Sequence, residues 1–140
     1  MLVRLLYASR AVNGFSTDEL NVILKRSRAH NPEHGVTGVL CYADGVFMQV
    51  LEGGRDAVNA LYKQIVVDPR HGDVVILKYQ EIGERQFAGW SMGQVTLSRL
   101  NPGLVLKYCE TGKLDPYNMT GHALMALFNE LVGSGAIVCS

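Results

Sequence analysis

The sequence predicts an α+β fold built on one mixed sheet. Apolar residues recur with period two in some segments, as strands require, and with a period near 3.6 in others, as helices require. Along the chain these segments run strand, helix, strand, strand, helix, strand, and one strand more. That order is the split βαβ plan of ferredoxin-like folds, a βαββαββ chain with a mixed five-stranded sheet. A third observation concerns the faces. The central strands are apolar on both sides, yet the two crossover helices cover only one, so the other face needs a further layer.

The first strand spans residues 2–9. Val3, Leu5, Tyr7 and Ser9 share one face, and Leu2, Arg4, Leu6 and Ala8 the other. Asn13-Gly14 forms a loop. Ser16-Thr-Asp-Glu19 reads as a capping box opening a helix, with Leu20, Ile23, Leu24 and Ser27 following at helical spacing. Pro32 ends that helix. A second strand covers 36–43, and Asp44-Gly45 is a strong hairpin signal before a third at 46–52. There Phe47, Gln49 and Leu51 alternate with Val46, Met48 and Val50, and Gly53-Gly54 closes the strand.

A second helix fits 55–67, with Val58, Leu61, Tyr62 and Ile65 on one face and Asp68-Pro69 as its stop. Val74–Ile82 reads as the fourth strand and Ser91–Leu97 as the fifth, with Trp90 and Met92 sharing a face. Asn101-Pro102-Gly103 breaks the strand pattern. A short helix is expected over 104–109, then one from 121 to 132 capped by Thr120, with Leu124, Leu127, Phe128 and Leu131 as its stripe. This last helix is the natural cover for Leu6, Met48 and Val50, although a partner subunit could serve instead.

Composition excludes several classes. A chain of 140 residues suits one domain. Thirteen basic residues balance thirteen acidic ones, so direct nucleic-acid binding is not expected. The N-terminal apolar run is too short for a signal peptide, and no stretch reaches the roughly 18 apolar residues of a membrane span. The chain therefore reads as cytoplasmic. Three cysteines, Cys41, Cys109 and Cys139, make no disulfide framework and no zinc site. Cys41 reads as a small buried hydrophobe and Cys139 as exposed. Four histidines have no partners at metal spacing, so no metal is expected. Glycine-rich phosphate loops and nucleophile motifs are absent.

What draws the eye is polarity on the covered face. Tyr7 lies beside Val3 and Leu5, and Gln49 between Phe47 and Leu51. A buried amide left unpaired costs roughly 1–3 kcal/mol. Two readings stand at this point: both side chains bond backbone at the edge of the core, or both face a ligand.

The sequence is similar to the BLUF family of blue-light sensors, which use flavin adenine dinucleotide (FAD). The likeness runs over about residues 1–97. It is carried by Leu5-Leu6-Tyr7-Ala8-Ser9, by Ser27, His30 and Asn31, and by Val36-Thr-Gly38-Val-Leu40. It continues in Phe47-Met-Gln49-Val-Leu-Glu52-Gly53, Asp68-Pro-Arg70-His71 and Trp90-Ser91-Met92-Gly93. The resemblance divides the chain into a flavin-binding domain, 1–98, and a helical extension, 99–140, packed on the sheet. The flavin ring would lie between the two crossover helices, flanked by Ile23 and Ile65. Asn31 would bond its pyrimidine edge, with Ser27 and His30 nearby. Arg70 and His71 would meet the dinucleotide tail, and Asp68 would order that loop.

The resemblance also implies a mechanism. In blue light Tyr7 would give up an electron and a proton, and Gln49 would rotate or change tautomer, leaving a slightly red-shifted flavin. Trp90 and Met92 would exchange places near Gln49 and carry the signal into the extension. No substrate is consumed, so a photoreceptor is expected and not an enzyme. Output would pass to a separate signalling protein or through a homo-oligomer. The competing readings are a small acylphosphatase-type enzyme, which needs a paired Arg and Asn on a phosphate loop, and a plain interaction module.

Overall fold

The computed structural model describes residues 1–95, 101–134 and 137–138, the last two by backbone alone. Its strands are β1 (Leu2–Ala11), β2 (Thr37–Ala43), β3 (Val46–Gly54), β4 (His71–Ile82), β5 (Gly93–Val95) and β6 (Ile137–Val138). Its α-helices are α1 (Thr17–His30), α2 (Arg55–Val66), α3 (Pro102–Tyr108) and α4 (Gly121–Ser134). The sheet runs β4-β1-β3-β2-β5-β6, and β2 pairs parallel with β5 while the other pairs are antiparallel. This is the ferredoxin-like α+β arrangement, with a mixed sheet. It gains a two-residue sixth strand, which the short apolar tail did not announce.

Local chemistry sets the element ends. The Ser16 hydroxyl accepts from the Glu19 amide and caps α1. Asp44 and Gly45 both have positive φ, 51° and 77°, as a two-residue hairpin turn of the primed type demands. β3 continues through Gly53 and Gly54, which pair with Val3 and Leu2, so the glycines bound the strand from inside it. α3 begins two residues earlier than expected. Asn101 Oδ1 accepts from the Gly103 amide at 2.8 Å, and Pro102 occupies the first turn, where its missing N–H costs nothing. Residues 96 and 97 of the expected fifth strand, and Cys139, lie outside the described residues.

The two faces of the sheet make two cores. Val3, Leu5, Tyr7, Leu40, Phe47 and Leu51 pack with Leu20 and Leu24 of α1 and Val58 of α2. On the opposite face Leu6, Val39, Cys41, Met48 and Val50 pack with Leu124, Leu127, Phe128 and Leu131 of α4. The extension is thus the third layer. It also reaches the sheet edge, where Tyr117 donates to the Asp73 carbonyl at 2.7 Å and the Arg10 guanidinium sits 4.2 Å above the Tyr117 ring.

Trp90 and Met92 do not share a face. Met92 is fully buried in the core under α1 and α2, while Trp90 packs into the α4-side core and stacks on Phe87. Regular pairing begins only at Gly93; the chain bends at Ser91 and Met92, so strand alternation does not govern them. The loop before them is anchored by Glu52. Its buried carboxylate pairs with Arg4 at 2.7 Å and accepts from the amides of Gln86 and Phe87.

Candidate functional site

Tyr7 and Gln49 face each other across the β1–β3 ladder, so their side chains emerge together beneath the crossover helices. The Tyr7 hydroxyl donates to Gln49 Oε1. Gln49 Nε2 in turn donates to the thioether of Met92 at 3.3 Å. Burial above all, with the negative charge of ionised Tyr62 or Asp68 nearby, raises the pKa of Tyr7, which therefore stays a neutral donor. Its ring centroid lies 5.9 Å from that of Tyr62.

Tyr7 and Gln49 line a cavity enclosing about 530 Å³, solvent at its mouth included. α1 contributes Ile23 and Ser27, and its C-cap Asn31, still helical in backbone, continues the same four-residue spacing and so the same face. α2 contributes Leu61 and Ile65, also four apart, and the sheet floor is Tyr7, Leu40, Phe47 and Gln49. Asp68, Arg70 and His71 close one end. Leu40, Phe47 and Leu61 were not among the expected site residues. Their signal was present: Leu40 pairs with Gln49, Phe47 shares its face, and Leu61 is one turn from Ile65.

Asn31 is buried at the C-terminus of α1, and its Nδ2 donates to the Ser91 carbonyl at 3.0 Å. His30, one residue and about 100° around the helix from Asn31, points elsewhere. It is exposed, its ring lies 4.2 Å from that of His34, and it is not among the lining residues. Trp90 and Met92 also stand off the cavity wall, Met92 touching it through Gln49.

Asp68 accepts from the Arg70 backbone amide and guanidinium, which holds its carboxyl below the usual carboxylate range and raises the Arg70 pKa. Both His71 nitrogens are engaged, Nδ1 with Ser9 Oγ at 2.7 Å and Nε2 with the Ile65 carbonyl. A carbonyl only accepts, so Nε2 carries a proton. Arg70 and Asn31, the pair an acylphosphatase reading needs, are tied to Asp68 and to the Ser91 carbonyl. Among the described residues no group of three metal-ligating side chains occurs, and no helix is long and apolar enough to cross a membrane.

Aliphatic walls from two helices, with amides at the edge, suit a flat ring that is apolar on its faces and hydrogen-bonding at its rim. Fold and cavity together define a binding domain for such a ligand. The family of sensors of blue light using FAD matches residues 2–93. Photoactivated adenylate cyclase subunit beta of Euglena longa is 38% identical over 96 residues, 68% of this chain but 11% of its own. The chain thus spans about a tenth of the length of such curated relatives. The photo-activated state of BlsA superposes with a TM-score of 0.86 at 34% identity, over 94% of each chain. BlrB, a BLUF protein in its dark state, does so at 0.80 and 29%, over 96% of each. The chain belongs to the BLUF family, the flavin-binding blue-light sensors. The BLUF domain is a photoreceptor module and not itself an enzyme.

Proposed function

We propose that this chain is a blue-light switch whose chromophore is FAD, held without a covalent bond between α1 and α2, and whose output element is the extension after residue 98. The observation that carries this reading is the relay from Tyr7 to Gln49 to Met92, buried beside a cavity of flavin character. When bound, a flavin supplies a ring whose excited state takes up an electron. Ile23 and Ile65 flank the ring, Ser27 and Asn31 serve its edge, and Arg70 and His71 face the nucleotide end. Among the described residues no cysteine lines the cavity to form an adduct.

The relay is asymmetric, and that makes it a switch. In the arrangement here Tyr7 Oη holds a proton and gives it to Oε1, while Nε2 gives one to Met92. Turning the Gln49 amide by half a revolution puts Nε2 at Tyr7 and Oε1 at the Met92 sulfur. Tyr7 must then accept, and Met92 loses its donor. A change at Gln49 is thereby delivered to the segment that enters β5.

The proposed partner is a separate signalling protein in the cytoplasm. BlsA is similar over 94% of each chain, while the photoactivated cyclases carry the matched segment within a much longer chain. The half-exposed Val75, Ile76 and Tyr79 on the edge strand β4 support self-association.

The test is spectroscopic. Purified protein, reconstituted if necessary, releases FAD on denaturation; covalently retained flavin, FMN alone, or no flavin overturns the cofactor assignment. Illumination red-shifts the flavin band. Tyr7→Phe and Gln49→Leu each retain flavin and lose the shift, and a normal shift in either refutes the role given to that residue.

A further inference from the structure

Three consecutive carbonyls ahead of β5 are each held by a donor from elsewhere in the chain. The Gly38 amide donates to Trp90 O at 3.1 Å, Asn31 Nδ2 to Ser91 O at 3.0 Å, and Arg28 Nε to Met92 O at 3.1 Å. Two of these donors sit at the C-terminal end of α1. Such side-chain clasps are needed here because β5 itself is short, pairing with β2 only through Val39 with Gly93 and Leu40 with Gln94. The clasped segment carries Met92, which takes the Gln49 amide on one side of the sheet, and Trp90, which packs on the other.

Arg28 has a second feature. Its Nη2 is the one buried side-chain nitrogen or oxygen without a hydrogen-bond partner among the described residues. A buried charged donor left unpaired is costly, more so than a neutral one. The guanidinium is a rigid fork, so an acceptor reaching Nη2 would be held in parallel with one at Nε. The arrangement seen here fills half of that fork. Arg28 is absent from the cavity lining, so it is the member of the clasp that can be altered without touching the ligand walls.

We infer that Arg28 is a positioning residue for the light signal: one arm of its guanidinium holds Met92 in the arrangement seen here, and the empty arm captures the segment once Met92 has moved. The inference rests on the sensor reading above. Both arms are filled only in the shifted state, so Arg28 favours that state over the present one. A ligand or side chain shifts a two-state equilibrium only by its differential interaction with the two states.

The experiment uses the full flavin-loaded chain and its single tryptophan, Trp90, as a local probe. Arg28→Ala removes both arms, while Arg28→Lys keeps the charge but loses the fork. Each variant is illuminated, and the return of the flavin band and of Trp90 emission is followed in the dark. Both variants should recover faster than the parent by at least about threefold, the scale of losing part of one charge-assisted hydrogen bond. Both should also lose a large part of the light-driven change in Trp90 emission, which a merely structural role would leave in place. Recovery at the parent rate or slower, or an unchanged emission response, overturns the inference. If Arg28→Ala does not fold, Arg28→Lys decides by the same two readouts. A parent that forms a red-shifted state with Arg28-independent recovery leaves the sensor reading standing and this one refuted; a parent with no shift refutes both.

Discussion

At the scale of single residues, burial controls the chemistry of the site and of the core behind it. Tyr7 on β1 and Cys41 on β2 lie on either side of β3, each almost wholly buried, one facing the cavity and the other the α4 layer. Burial disfavours the charged form of both, so the phenol is raised above its ordinary value and the thiol is pushed up to about 12. The sign of the consequence follows from linkage. A group whose folded pKa is raised contributes stability that is complete below its unfolded pKa and is lost as pH climbs through the window up to the folded value. For Cys41 that window opens at 9.0, the ordinary thiol value, and closes at about 12. Within it the unfolded thiol is ionised and the folded one is not. Urea unfolding between pH 9 and 11 should show stability falling with pH. Cys41→Ala should flatten that fall by one proton's worth, about 1.4 kcal/mol per pH unit. An unaltered slope would mean the thiol ionises freely in the folded state. Tyr7→Phe should flatten it further, from about pH 10 upward.

Among elements, α4 matters most, because it covers the sheet face the crossover helices leave open. Its approach is close at its first residue. A Cβ on Gly121 would lie 2.4 Å from the Leu77 carbonyl oxygen and 2.8 Å from the Lys78 Cβ in β4. No real side chain fits there without moving the helix. Gly121→Ala should therefore lower stability by about 1–3 kcal/mol, as overpacking does. Gly133, near the other end of the same helix, is exposed, with nothing within 4 Å of a Cβ. There Gly133→Ala should raise stability by about 0.5–1 kcal/mol through helix propensity alone. Chemical unfolding of the two variants side by side checks both, and equal shifts would show that Gly121 is not a contact point.

For the molecule as a whole, the two cores share one sheet, so the cavity side and the α4 side are coupled through the same strands. Leu6, Met48 and Val50 are fully buried only because Leu124, Leu127, Phe128 and Leu131 lie over them. Ending the chain after Leu100 would uncover that face while keeping every residue that lines the cavity. At about 1.5–3 kcal/mol for each large apolar side chain exposed, the loss should reach several kcal/mol, with self-association at micromolar concentration. Flavin binding should persist. Unfolding curves and light scattering of the shortened protein measure this; a monomer as stable as the full chain would show that α4 contributes no cover.

The sequence by itself determined the strand faces, both crossover helices, the Asp44-Gly45 turn and the Ser16 cap, because each depends on spacing or turn chemistry within a few residues. Strand and helix periods also put Tyr7 and Gln49 on the covered sheet face and Ile23 and Ile65 on helix faces; that they line one cavity with Ser27 and Asn31 appears only in the structure. The resemblance supplied what periodicity could not, namely that the space between them suits a flavin. Tertiary structure decided the rest. Trp90 and Met92 part to opposite faces because a bend, not a strand, joins them. His30 turns outward because it follows Ser27 and precedes Asn31 on a helix, off the line they share. Arg28 reaches Met92, and Glu52 reaches Gln86 and Phe87, across more than thirty positions of chain. In irregular segments no period fixes a side chain's direction, and its partner is whatever the distant chain brings within hydrogen-bonding reach.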